Sequence, residues 1–384
     1  MNVADRMLPS TQRIGLVSTY PPTLCGLATF AHALGTALAQ QGHDVHVVRV
    51  RGERRPEASN PRVVASLRER DPASLAHAAA LLSSCDTVIL QHEYGIYGGA
   101  DGAEVLELIE AIEAPVVVVL HTVPLYPTPH QHQIIAALAQ RAQRLVVMSE
   151  TAHERLCDLY PVREHHVDVI PHGAATPTPP PYRDLLAPQL LTWGLLGPGK
   201  GIEHTIAALA MLATERVRPH YTIAGVTHPN VFERDGDRYR NSLQRQAANG
   251  GVASAVTFDD QYRDTAQLTT FIASAEIVVL PYDSTDQVTS GVLVDAIAAG
   301  RPVIATAFPH AVELLASGAG IVVPHRNPTA LATAIRSVVM DQDLKNSMAQ
   351  EASRLAPTLS WATVAAAYAR LGRDLQADAS TSRP

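Results

Sequence analysis

A chain of 384 residues exceeds what one ordinary core holds and fits two domains. Apolar residues make up 46% and aromatics only 5%, so Ala, Val and Leu must fill the interior, which favours an α/β protein over an all-β one. The formal charge of −7 argues against nucleic acid as the main partner, because phosphate neutralisation needs a basic face.

Short apolar runs alternate with longer helical patterns, as expected of βα units on a parallel sheet. The first half predicts strands at RIGLVS from Arg13, DVHVVRV from Asp44, TVILQ from Thr87, VVVVLH ending at His121, RLVVMS from Arg144 and VDVI from Val167. Helices are expected between them, for instance over Ala28–Gln40 and Gly102–Ile112. Their nearly continuous Val, Ile and Leu content implies sheets covered on both faces. The segment Arg49–Arg70, rich in arginine, reads as a solvated connection, with an acidic acceptor or an anionic membrane as the alternative.

The Pro-rich stretch Ala175–Asp184 cannot feed a sheet and reads as a semi-rigid linker. The alternation then restarts with LLTWG from Leu190, YTIAG from Tyr221, AVTF from Ala255, EIVVLP from Glu276, PVIAT from Pro302 and GIVVP from Gly320. The expected organisation is a Rossmann-like domain over 1–174, a linker over 175–185 and a second Rossmann-like domain over 186–359, the two facing a central cleft. A terminal helix near Ser360–Leu371 closes the second domain or crosses back to the first, and the last dozen residues are expected to fray.

Open parallel sheets bind ligands at the carboxyl ends of their strands, so the residues there carry the functional reading. Tyr20–Phe30, YPPTLCGLATF, stiffens the first turn with two prolines and lets the backbone near Gly26 approach a phosphate at a helix start. Gly194–Ile206, GLLGPGKGIEHTI, surrounds Lys200 with glycines, among them Gly199, and opens a helix at about Ile202. In PYDSTDQVTSGVLVDAIAAGRPVIAT, Pro281–Thr306, a helix is expected near Thr289, with the amides of Thr289, Ser290 and Gly291 free for an anion. Asp295 follows about one and a half turns later.

In their order these motifs resemble glycosyltransferase family 4, in a divergent branch. The resemblance is carried by the Pro-Pro and Gly26 of the first loop, Gly42-His43-x-Val45, His121, Ile170-Pro171-His172-Gly173, Lys200-Gly201, AIAAGRPV and Ser360-Trp361. It implies the GT-B fold, a retaining and metal-independent hexosyl transfer, and a GDP- or UDP-hexose donor, with mannose favoured over glucose by analogy. It also implies that the first domain binds the acceptor, the second binds the donor, and the final helix returns to the first. Where the family commonly has an arginine before its lysine, this chain has Leu195. The family's pair of glutamates falls on Gln287 and Asp295, and Asp286 adjoins the uncharged Gln287.

The expected roles follow. Lys200 and the helix-head amides hold the diphosphate; His121, Asp286 and Gln287 hold the hexose; Asp295 accepts from ribose hydroxyls. Phe258, Gln261 and Tyr262 meet the base, and His92, Glu93 and Tyr94 meet the acceptor. That acceptor is a carbohydrate, small molecule or lipid hydroxyl, and no cofactor or metal is expected. His121, His130 and His132 imitate a metal cluster, and Asp235-x-Asp237 imitates a metal motif, but neither has a paired ligand pattern. Cys25, Cys85 and Cys157 form no CxxC pair, no apolar stretch precedes the first strand, and no window reaches the about 18–20 apolar residues of a membrane span. A cytoplasmic enzyme is the resulting expectation. The rival readings are a catalytically silent sugar- or nucleotide-binding subunit and a sugar-nucleotide epimerase on the same fold.

Overall fold

The computed structural model of the chain describes residues 11–23, 25–51, 60–177, 187–215, 218–261 and 263–381. The chain divides into two compact units, Met1–Gly173 with Trp361–Pro384, and Ala174–Ser360.

The first unit carries β1 (Arg13–Ser18), β2 (Asp44–Arg51), β3 (Val63–Arg68), β4 (Thr87–His92), β5 (Val116–Leu120), β6 (Arg144–Val147) and β7 (Val167–Val169). They form one parallel sheet in the order β3-β2-β1-β4-β5-β6-β7. Every residue of β4 and β5 is buried, as expected of central strands covered on both faces. β3 lies inside the arginine-rich segment expected to be a solvated connection, which corrects that reading. It is an edge strand with a register shift against β2 and only Leu67 buried, so its apolar signal is weak.

The second unit carries β8 (Gln189–Trp193), β9 (His220–Ala224), β10 (Val256–Asp259), β11 (Ile277–Leu280), β12 (Val303–Thr306) and β13 (Gly320–Val323). Its parallel sheet runs β10-β9-β8-β11-β12-β13. Along β11 the period of two sends Val278 and Leu280 to one core cluster and Ile277 and Val279 to the other.

Both sheets reverse their strand order once, between β1 and β4 and between β8 and β11. The loops after those strands diverge there and leave a crevice at the carboxyl edge, the place where such sheets receive ligands.

The last helix, Trp361–Thr381, belongs to the first unit and packs Val364, Ala365, Tyr368, Leu371 and Leu375 into its core. Those positions keep a helical period past Leu371, so the helix runs longer than expected and takes in residues through Thr381 that were expected to fray. The segment Gly102–Ile112 is likewise corrected: a 3₁₀ turn at Ala100–Gly102 precedes a shorter helix, Val105–Ala111. Most of the proline-rich linker lies outside the described residues. Among the described residues no helix is long and apolar enough to cross a membrane.

Candidate functional site

In the second unit the crevice between β8 and β11 is bounded by the Lys200 loop and by the segment after Leu280. The two are tied together. The Asp283 amide donates to the Gly199 carbonyl at 2.9 Å, and a Cβ placed on Gly201 would sit 1.8 Å from the Pro281 carbonyl oxygen. Gly201 also has φ +64°, so both the close approach and the left-handed backbone require glycine. The Lys200 ammonium lies 4.5 Å from the centre of the Tyr282 ring, which in turn stacks on Phe308. Burial lowers the Lys200 pKa, and no carboxylate among the described residues pairs with it. Asp283, tied to the same loop, is engaged by His204 at 3.2 Å and Arg326 at 3.3 Å.

The helix Gly291–Ala298 is capped by Ser290, whose hydroxyl accepts from the Leu293 amide. The Ser290 amide is not free as expected, because it donates to His310 Nδ1 at 2.9 Å within the core. An anion at this helix head would meet the amides of Gly291 and Val292, which have no acceptor within the helix. The Thr289 hydroxyl is buried with no partner among the described residues. Gln287 is half-committed: one hydrogen of its Nε2 goes to the Thr289 carbonyl at 2.9 Å, which leaves Oε1 and the second N–H for a ligand. Asp286 is half-buried one residue earlier, its amide donating to the Ser284 hydroxyl. Among the described residues Asp295 has no hydrogen bond to its carboxylate, and burial raises its pKa to about 7.

Phe258 lies within β10 and Gln261 just after it, two strands away from β8, a lateral offset of about 10 Å. Phe258 is half-buried beneath the Arg240 guanidinium, and Gln261 is exposed. Tyr262 lies outside the described residues.

In the first unit, His121 follows β5 and is half-buried. Its amide donates to the His92 carbonyl at 3.1 Å, and its Nε2 lies 2.6 Å from Gln91 Oε1. Phe30 is the hub of this corner, meeting His121, His172 and Trp361 edge-on with ring centres 4.9–5.0 Å away. Burial drives His121 down to about 3 and His172 down to about 4, so both imidazoles are neutral near neutral pH. Gly173 faces the Trp361 ring so closely that a Cβ would lie 2.3 Å from it. The two motifs at Ile170–Gly173 and Ser360-Trp361 are thus one packing contact.

His92 does not face an acceptor. It ends β4 opposite Leu120 and is 0% exposed, with no partner for either ring nitrogen among the described residues and the pKa down to about 4. Glu93 holds the Thr122 hydroxyl at 2.5 Å and the Tyr94 amide at 3.0 Å. Tyr94 is half-buried, its hydroxyl donating to the Gln131 carbonyl. Further along, the loop lines a cavity of about 410 Å³ with Arg68, Glu69, Arg70, Tyr97, Glu104 and Glu107. Gly26 begins its helix exposed, and a Cβ added there would meet nothing within 4 Å among the described residues, which do not demand a glycine.

The decoys separate. His130 bonds Asp101, His132 stacks on Tyr160, and His121 bonds Gln91, so the three histidines share no site. Asp237 accepts from the Thr227 hydroxyl and Asp235 pairs with Arg234. Glu203, His204 and Asp283 lie close enough to share a cation, but Tyr239 donates to Glu203 and Arg326 occupies Asp283. Tyr282, His310, Gln91 and Phe30 escaped sequence reasoning because none sits in a recognisable spacing; each matters through a contact distant in sequence.

Two family descriptions match the chain in tandem, "Glycosyltransferase Family 4" over residues 25–176 and "Glycosyl transferases group 1" over 187–341. The chain is a protein of the glycosyltransferase family 4 type. It is 25% identical over 256 residues to a D-inositol 3-phosphate glycosyltransferase of Corynebacterium kroppenstedtii, covering 62% of this chain and 55% of that protein. A second such protein, from Corynebacterium glutamicum, is 29% identical over 182 residues, covering 47% and 42%. The chain thus spans about half the length of these curated relatives. In fold it is similar to sucrose-phosphate synthase from Thermosynechococcus elongatus, with a TM-score of 0.74 at 19% identity over 96% of this chain and 100% of that one. Anabaena HepE in complex with UDP-glucose gives 0.72 at 16% identity over 94% and 99%. Both likenesses show the two-sheet GT-B fold.

Proposed function

We propose that this family member transfers a hexose, mannose or glucose, from a nucleoside diphosphate to a hydroxyl acceptor with retention of configuration and without a metal. The observation that carries this reading is Lys200: a half-buried cation at the β8–β11 crevice that lies over an aromatic face and has no carboxylate partner among the described residues. A nucleoside diphosphate is the ligand class that satisfies it. The amides at the head of Gly291–Ala298 and the unpartnered Thr289 hydroxyl supply further donors to the departing phosphate. Asp295 then accepts from the ribose hydroxyls, and Phe258 and Gln261 border the base at the offset a nucleotide spans. UDP-glucose in the HepE complex supports a donor of this class.

The acceptor oxygen forms its bond to the anomeric carbon on the face the leaving group departs from. As the carbon–oxygen bond to the diphosphate breaks, a phosphate oxygen takes the acceptor proton. In the second unit Asp286 and the Gln287 carboxamide serve the hexose; in the first unit His121 serves a sugar hydroxyl, and Glu93 and Tyr94 orient the acceptor. The adjoining cavity carries Glu69, Asp71, Glu104 and Glu107 against Arg68 and Arg70. That balance favours an uncharged polyhydroxyl acceptor over the polyol phosphate named for the corynebacterial relatives.

The test is release of nucleoside diphosphate from GDP-mannose and UDP-glucose, read by mass spectrometry with and without EDTA. Release that persists in EDTA is expected. Release that needs added magnesium or manganese overturns the metal-free mechanism; a thermal shift with no release leaves a silent binding subunit.

A further inference from the structure

We propose that Gln91 is a positioning residue that fixes the tautomer of His121, so that His121 serves the sugar as a hydrogen-bond acceptor and never as an acid. The proposal rests on the reading of His121 as the residue facing the transferred hexose.

A carboxamide oxygen can only accept, so at 2.6 Å from Gln91 Oε1 the His121 Nε2 must carry the hydrogen. The lone pair is then on Nδ1. Gln91 itself is 0% exposed, held in β4 opposite Val119, and its carbonyl accepts from the Tyr97 hydroxyl at 2.7 Å. That bond holds the Gln91 backbone; the buried side chain turns its Oε1 to the imidazole, and its Nε2 has no partner among the described residues.

Among the described residues no group around the ring offers to protonate it. His172 donates its Nδ1–H to the Gly173 carbonyl, and burial holds both it and His92 neutral. Phe30, from the helix Gly26–Gln40, covers one side, and Trp361 of the last helix reaches the cluster through Phe30 and His172. The carboxylate of Glu93 on the neighbouring loop is committed to Thr122 and Tyr94. Among the described residues His121 Nδ1 has no protein partner, and unlike both nitrogens of His92 it is not sealed from solvent. A neutral imidazole presenting a bare lone pair matches a hydroxyl donor of a hexose. It carries no charge as the diphosphate leaves, and its Nδ1 has no proton to give.

The experiment is ¹⁵N ring NMR on the full chain labelled at histidine, with the His121 signal assigned from its loss in His121→Asn. The parent should show the Nε2–H tautomer, unchanged from pH 5 to pH 9. Gln91→Glu, nearly isosteric, should stabilise an imidazolium and bring the His121 titration into that range. Its kcat should then fall about tenfold from pH 8 to pH 6 where the parent stays level, because a protonated Nδ1 no longer accepts. Gln91→Leu should release the tautomer to a mixture. An Nδ1–H tautomer in the parent, or an unaltered His121 titration in Gln91→Glu, overturns the role of Gln91. If the NMR changes appear as stated while kcat stays level with pH, Gln91 keeps its role and the reading of His121 as a sugar ligand fails instead.

Discussion

Replacing Asp295 with asparagine should stabilise the protein progressively as pH rises. The carboxyl group has no hydrogen bond among the described residues, and burial alone lifts its pKa from 3.8 to about 7. A group raised in the folded state contributes its full stability below pH 3.8, and that contribution is lost as pH rises through about 7. At about 1.36 kcal/mol per pKa unit, the cost of carrying this acid grows by on the order of 2–3 kcal/mol between pH 5 and pH 8. Asparagine has the same shape and no charge to desolvate. Denaturant unfolding of parent and Asp295→Asn across this range isolates the group, because every other titration cancels in the difference. The gap between them should widen with pH in favour of the variant; a gap independent of pH would refute the reasoning. The same burial gives the residue its proposed use. Ribose hydroxyls would favour the ionised form, so donor binding should release a proton and weaken below pH 7 in the parent but not in the variant, whose KM should be higher at pH 8.

Lys200→Ala should lower kcat/KM for the donor at least tenfold, from the loss of about 1.5–3 kcal/mol of charge-assisted bonding, while circular dichroism shows an intact fold. Gln287→Glu should lower activity rather than raise it. It removes the donor to the Thr289 carbonyl and sets two acceptors face to face, at a cost of about 1–3 kcal/mol to the loop that bears Thr289, which steady-state kinetics and a thermal melt would report together. Gly173→Ala should destabilise the protein by about 1–3 kcal/mol, because the new methyl meets the Trp361 ring rather than a yielding side-chain end. An unchanged melting temperature would mean the last helix can shift without loss.

The βα alternation was legible in the sequence because a strand covered on both faces must be a short apolar run wherever it lies in the chain. β4 and β5 announce themselves in this way, while β3, an edge strand with one buried residue, does not. The glycines around Lys200 were likewise readable, since a backbone that turns left-handed against another carbonyl leaves few residue choices. What a motif residue touches was not readable. The side-chain period of a strand says that His92 alternates with Gln91, yet only the packed sheet shows that both faces are closed at that level and that His92 is sealed in. Gln91 became the partner of His121 because β4 and β5 pair in register across the sheet, a relation between residues 30 apart. Gly173 needed Trp361, and the Ser290 amide needed His310, before either could be understood. Local sequence determines which backbone conformations are open to a segment; which polar atoms remain free for a ligand depends on contacts between distant segments, and tertiary structure alone decides those.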